Sequence, residues 1–384
     1  MKSDGIVKIS ALAYGGSGVG RLQDGRVCFV PGTLPGETAE IRITAAKKRF
    51  VSAQVLRLIE VSEKRVVPEC PLYGQCPGCV YMHCDYGTEF FWKEKQLKDF
   101  LLRSGVAEAG AFTAGVPSPQ REFYRNKLTL HRGEGKSGYC GFDNRTVIPV
   151  EQCRLADRRI NELLPLEGDV LLRCTAVDGA KVIGPGTAGI LHEEIPGFGK
   201  FAVAGNGFFQ VNIPVAAELV KRVLAVMKSS GVRELLELYC GIGLFSIVLA
   251  ENMPELHCCG IELNKEAVKF ARINAKEHHV GDRCRFFAGD AGKGLRKMGK
   301  HSGEFAVLLD PPRTGVEKET LKMIGSSGAA QIIYISCAAD TLTRDLKELT
   351  AAGYKVESFQ ALDMFPCTAH FETLSLLSFH GKRK

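Results

Sequence analysis

No stretch of this 384-residue chain approaches the length of a membrane span, and Met1 to Ser10 carries no charged segment followed by an apolar run. The two absences lead to the expectation of a cytoplasmic protein with no membrane partner. A strong charge of one sign is missing too. The 50 Lys and Arg against 43 Asp and Glu leave a formal +7, compatible with a polyanionic partner and equally with a mildly basic enzyme. What is present is 45% hydrophobic and 24% charged content, enough for two or three globular domains. The 14 cysteines, in a chain without an export signal, argue against a disulfide framework. Clustered ones therefore read as metal or catalytic ligands, and scattered ones as small buried side chains.

Residues 1–61 hold short β-type runs broken by glycine: Ile6–Ile9, Arg26–Val30, Ala39–Ile43 and Phe50–Leu58. Such spacing predicts a small OB-like β-barrel. No helix pattern follows the glycines between Gly15 and Gly20, so that stretch reads as a flexible hairpin tip and not as a phosphate loop. Lys47-Lys48-Arg49-Phe50 sets an aromatic ring beside a basic run, a pairing suited to phosphate contact and base stacking.

Residues 62–204 open with Cys70, Cys76 and Cys79, three thiols bent toward one another by Pro and Gly. Two fourth ligands compete. Zinc with Cys84 and an iron–sulfur cluster with Cys153 both fit the spacing. Tyr86 to Arg103 predicts a helix, and Phe123 to Lys127 the start of a strand on which Arg125 and Lys127 are candidate phosphate contacts.

Residues 205–384 alternate strand and helix patterns, predicting an α/β, doubly wound sheet. A strand over Val232–Tyr239 runs into Cys240-Gly241-Ile242-Gly243, then a helix from Leu244, and Glu262 follows the next strand. This layout brings a nucleotide-like cofactor against the glycines and its ribose against the acid. The third glycine of dinucleotide-binding turns is absent after Gly243, which favours S-adenosylmethionine, a cofactor without a pyrophosphate. Asp290 is placed to reach an adenine amino group, and Asp310-Pro311-Pro312-Arg313, Ser336-Cys337 and Glu372 share the rim at the strand ends. Amino methyltransferases carry an aromatic residue where Arg313 stands. An arginine shifts the expected target to a carbon needing covalent activation: Cys337 as thiolate adds to carbon 6 of a pyrimidine, and Glu372 removes the proton at carbon 5.

These motifs, with Phe208-Phe209-Gln210-Val211-Asn212 and Asp363-Met364-Phe365-Pro366 leading to Glu372, resemble the RNA uracil-C5 methyltransferases over nearly the whole chain. The resemblance implies a Rossmann-like S-adenosylmethionine-dependent domain behind a TRAM barrel and a central iron–sulfur domain. By it, Cys337 is the nucleophile and Glu372 the base, while Gln210, Tyr239, Gly241, Glu262, Asp290 and Asp310 contact S-adenosylmethionine. Cys70, Cys76, Cys79 and Cys153 hold a [4Fe-4S] cluster, and Phe208 lies near a uracil flipped out of its RNA. Large-subunit ribosomal RNA is the first expected partner and transfer RNA the second, with the enzyme a monomer. The alternative is a non-catalytic RNA-binding or assembly factor on the same fold. Ala338-Ala339 departs from the Asn-Pro that many members carry after the cysteine, and Cys367 stands where His is frequent.

Overall fold

The computed structural model describes residues 4–184, 189–297 and 304–381. Five strands, β1 (Gly5–Leu12), β2 (Gly18–Arg21), β3 (Val27–Val30), β4 (Thr38–Ala46) and β5 (Phe50–Glu60), close into a barrel in the order β1-β2-β3-β5-β4. Alternation explains it: Val7, Ile9, Cys28, Val30, Ala39, Ile41, Val51 and Ala53 point inward and form its core. The strand β2 was not among the expected runs, since its glycines carry no apolar signal. Lys47, Lys48, Arg49 and Phe50 are exposed at the β4–β5 turn, and Phe50 meets Phe29 edge-on at 5.7 Å.

After the cysteine-bearing loop, helix α1 (Tyr86–Arg103) starts at Asp85, whose Oδ1 accepts the Thr88 backbone N–H at 2.8 Å. A second sheet of β6 (Lys127–Arg132), β7 (Ser137–Cys140), β8 (Val147–Pro149), β9 (Val170–Thr175) and β10 (Gly179–Ile183) has the order β10-β9-β6-β7-β8, with short α2 (Arg158–Asn161) beside it. The strand expected from Phe123 begins only at Lys127: Phe123 has a φ of +57°, which breaks the extended run. A hairpin, β11 (Ile190–Ile195) and β12 (Gly199–Ala204), follows. Its Phe201 and Val203 are buried with residues of the helices that come next, on the far side of the boundary expected after Ala204.

The C-terminal unit comprises α3 (Ile213–Ser230), β13 (Glu234–Leu238), α4 (Leu244–Asn252), β14 (His257–Glu262), α5 (Lys265–Glu277), β15 (Cys284–Ala288), α6 (Ala291–Lys297), β16 (Phe305–Leu309), α7 (Lys318–Gly325), β17 (Gln331–Ser336), α8 (Ala339–Ala351), β18 (Tyr354–Leu362) and β19 (Glu372–Phe379). Its sheet runs β15-β14-β13-β16-β17-β19-β18. The five strands β13–β17 are parallel, and β16, Phe305–Leu309, is buried at every position, as a strand covered by helices on both faces must be. Strand β19 enters antiparallel between β17 and β18, pairing Ser336 with Thr373. That insertion brings Glu372, at the start of β19, to the rim where β17 ends. Among the described residues no helix is long and apolar enough to cross a membrane.

Candidate active site

The turn after β13 carries the first half of the site. Tyr239 and Cys240 donate their backbone N–H groups to Ile261 O at 2.9 and 3.2 Å, and Tyr239 takes a φ of +65°. Gly241 (φ +52°) has open space where a Cβ would stand; at Gly243 (φ +83°) a Cβ would lie 2.7 Å from the Phe286 ring. Glu262 braces the turn: its Oε2 accepts Gly241 N–H at 3.1 Å and its Oε1 accepts Asn264 N–H at 2.8 Å. Around this turn lies a cavity of about 440 Å³, lined by Phe208, Tyr239, Gly241, Glu262, Asp290 and Pro312 among others. Phe208 is 71% exposed at its mouth. Burial, then the charges of Glu317 and Asp290, push the Tyr239 hydroxyl up to about 12, so it stays a neutral donor.

The second half adjoins the first through Asp310. Burial and the Glu262 carboxylate push Asp310 up to about 7. Glu372 is buried, and its Oε2 has no hydrogen-bond partner among the described residues. Burial and then Asp310 hold its carboxyl well above the usual range, with Arg313 pulling the other way. Cys337 is half-buried. Burial and Glu372 push its thiol up to about 11, again opposed by the Arg313 guanidinium. Thiol, two carboxyls and one guanidinium therefore face one another at the ends of β16, β17 and β19.

Local bonds hold this arrangement. Thr341 Oγ1 donates to Arg313 O at 3.0 Å, and Asp345 Oδ2 accepts from Val316 N–H at 2.7 Å and from the Tyr334 hydroxyl at 2.6 Å, tying the Pro-Pro loop to α8. Ser336 Oγ accepts Ala338 N–H at 3.2 Å, and Thr373 Oγ1 donates to Ser336 O at 2.9 Å. His370 was missed by the sequence reading. Two residues before Glu372, it has its pKa lowered to about 4 by burial and then Arg313.

Other expected residues lie elsewhere. Gln210 is buried; its carbonyl accepts from Asn126 Nδ2 at 3.1 Å, and it does not line the cavity. Lys127 Nζ donates to Asn206 O at 3.1 Å and Gly207 O at 2.8 Å, which props the loop bearing Phe208. Arg125 turns inward, toward Tyr124, Tyr139 and Cys153, with its Nε buried and unpartnered among the described residues.

Cys70, Cys76, Cys79 and Cys153 line one small cavity together with Tyr73, Tyr139 and Leu155. Cys84 is not among them: it is buried with Leu12, Leu34 and Tyr81, and its thiol donates to Tyr81 O at 3.2 Å. Among the described residues no three of His, Cys, Asp and Glu form a group able to hold a metal ion.

Comparison with known proteins follows the same division. The family described as tRNA (Uracil-5-)-methyltransferase matches residues 199–380, and the TRAM domain matches residues 6–56. An uncharacterized RNA methyltransferase of Thermosynechococcus vestitus is 30% identical, with 97% of each chain covered. Another, from Aquifex aeolicus, is 30% identical over 96% of this chain and 97% of its own. Among solved structures, the Pyrococcus abyssi tRNA (uracil-54, C5)-methyltransferase in complex with S-adenosyl-L-homocysteine shares the fold, with a TM-score of 0.73 at 22% identity, covering 97% of this chain and 99% of that one.

Proposed function

Because the chain belongs to the RNA (uracil-5-)-methyltransferase family, whose members depend on S-adenosylmethionine, we propose that it methylates carbon 5 of a uridine in a structured RNA through a covalent bond to Cys337. Large-subunit ribosomal RNA is the first candidate and transfer RNA the second. The observation that carries this reading is the mutual approach of Cys337, Glu372, Asp310 and Arg313 at the rim of the sheet. A silent RNA-binding factor has no need of a buried, unpartnered carboxyl beside a thiol.

When bound, S-adenosylmethionine supplies an electrophilic methyl on a positively charged sulfur. Gly241 leaves room for backbone approach, Glu262 and Asp290 offer carboxylates for ribose and adenine, and Tyr239 completes the set. Asp310 and Glu372, with pKa values raised by burial, are groups that a cationic ligand returns to the charged form.

Cys337 loses its proton to solvent or a neighbouring carboxylate, and its sulfur adds to carbon 6 of the uracil. The former double-bond electrons pass toward carbon 5 and oxygen 4, making carbon 5 nucleophilic. After carbon 5 has gained the methyl, the Glu372 carboxylate takes the proton there; the ring double bond re-forms and the thiolate departs. Phe208, exposed at the cavity mouth, is placed to stack on a base drawn out of the RNA.

In this reading the barrel over residues 1–61 grips RNA, residues 62–204 hold a [4Fe-4S] cluster on Cys70, Cys76, Cys79 and Cys153, and residues 205–384 do the chemistry. What supports this is that the four thiols line one cavity, although among the described residues no three of them close on a single ion. A single zinc ion draws its thiolates to about 2.3 Å; a cluster spreads them over several irons. Cys337→Ala should abolish methyl transfer from labelled S-adenosylmethionine while RNA binding persists. Glu372→Gln should accumulate a protein–RNA adduct that survives denaturing gels. Wild-type turnover by either variant overturns the mechanism.

A further inference from the structure

The barrel reaches the catalytic region through the tip between β1 and β2. Between β1 and β2 the chain folds back over Ala13–Ser17, with Ala13 N–H donating to Ser17 O at 2.8 Å and Gly16 N–H to Ala13 O at 2.9 Å. The sequence reads this glycine-rich tip as flexible, yet it is seated on its neighbours. Gln96 of α1, itself buried, donates from Nε2 to Ala13 O and to the Tyr81 hydroxyl, each at 3.0 Å. Gly16, at a φ of +89°, lies so near the loop after Cys79 that a Cβ there would stand 2.7 Å from Val80 Cγ2.

This seat carries Tyr14 away from the barrel. Its ring meets Phe100 of α1 at 5.2 Å and Phe371 at 6.1 Å, both edge-on, and packs into the core that contains Ala339. The backbone N–H of Ala339, Cys337 and Arg313 all lie within the electrostatic reach of its hydroxyl. Helix α8 has no side-chain acceptor of its own at that end. Its N-cap position is Ala338, which has no side-chain oxygen to offer the free N–H groups of the first turn. Phe371, on the other side of the ring, immediately precedes Glu372.

We propose that Tyr14 is a positioning residue of the methyl-transfer site: its hydroxyl steadies the turn that presents Cys337, its ring steadies the strand start that presents Glu372, and seating of the barrel thereby completes the pair. The inference rests on the uracil-methylation reading above. On this view the barrel supplies part of the catalytic frame as well as a grip on RNA, and Tyr14 makes up for the unadorned Ala338-Ala339 turn.

The test uses the full chain and 5-fluorouridine-substituted transcripts of large-subunit ribosomal RNA and of transfer RNA. Fluorine at carbon 5 cannot leave as a proton, so a covalent adduct accumulates and its rate can be followed on denaturing gels. With Tyr14→Phe, which keeps the ring, adduct formation at saturating RNA and S-adenosylmethionine should slow about tenfold, while both binding constants and the melting temperature stay at wild-type values. Tyr14→Ala, measured below its own melting transition, should be at least as slow. Tyr14→Phe reacting at the wild-type rate, or losing RNA affinity with an unchanged saturated rate, overturns the positioning role and leaves the uracil reading standing. Wild-type protein that forms no adduct with either RNA takes down both.

Discussion

Lys93 Nζ donates to Asp363 Oδ1 at 2.8 Å across 270 residues of chain, with both side chains closed to solvent. The same ammonium donates to Glu89 Oε1 at 2.8 Å and to Phe365 O at 3.1 Å, so α1 grips the loop that leads into β19. Burial works against the charge, but Glu89 and Asp363 outweigh it and push Lys93 up to about 12. Removing the ammonium leaves Asp363 buried without its cation, while Glu89 keeps only Arg121.

Lys93→Ala should therefore cost about 3–5 kcal/mol of stability, read from denaturant unfolding at neutral pH. A loss below about 1 kcal/mol, the scale of an exposed pair, would mean that the three groups do not act as a unit.

Alkylation of Cys337 by iodoacetamide, followed peptide by peptide in a mass spectrometer, should be slow at pH 7. A thiol raised to about 11 is nearly all protonated there, so the rate should climb about tenfold per pH unit up to pH 10. Arg313 favours the thiolate, and Arg313→Ala should slow alkylation further at every pH in that range. A flat profile would contradict the burial of the thiol.

Glu237, buried beneath the site, has its carboxyl pushed up to about 8 by burial, although Ser246 N–H donates to its Oε2 at 2.9 Å. Folded chain keeps the proton through a range where unfolded chain, with an ordinary carboxyl near 4.3, has released it. Stability from this group is thus present at low pH and falls as pH rises from about 4.3 to about 8, by up to roughly 1.4 kcal/mol per unit. Glu237→Gln cannot titrate. Its stability relative to wild type should grow steadily across that window, and a constant difference would show that Glu237 is ionised in the fold.

Anaerobically purified protein should be brown, with visible absorption lost in Cys153→Ser and kept in Cys84→Ser. The cavity is lined by Cys153, whereas Cys84 is packed among apolar side chains. Colourless protein carrying zinc, released by Cys84→Ser, would reverse the assignment.

Much of this was legible in the chain because periodicity and turn chemistry are local. The strands from β13 to β17, the Gly241–Gly243 turn and the rim positions of Asp310, Cys337 and Glu372 follow from runs that end in chemistry-bearing residues. Contacts made in three dimensions were not legible. Spacing could not choose between Cys84 and Cys153, since the first is near in sequence and the second near in space. Arg125 reads in the sequence as a phosphate contact on a strand, but after the backbone break at Phe123 it turns inward. Tyr14 and Lys93 carry no motif. Their roles appear only once the barrel and α1 are packed on the sheet.

The pairing of Ser336 with Thr373 has a consequence for how the rim can open. A ladder of backbone hydrogen bonds joins the strand that ends before Cys337 to the strand that begins at Glu372, and such central ladders exchange their amide hydrogens only when much of the domain opens. Thiol and carboxyl are therefore not parted by breathing of that sheet. The more yielding wall is the Pro-Pro loop, which side-chain hydrogen bonds hold to α8. Amide exchange should be slowest at Ile335 and Leu374 and fastest around Thr314.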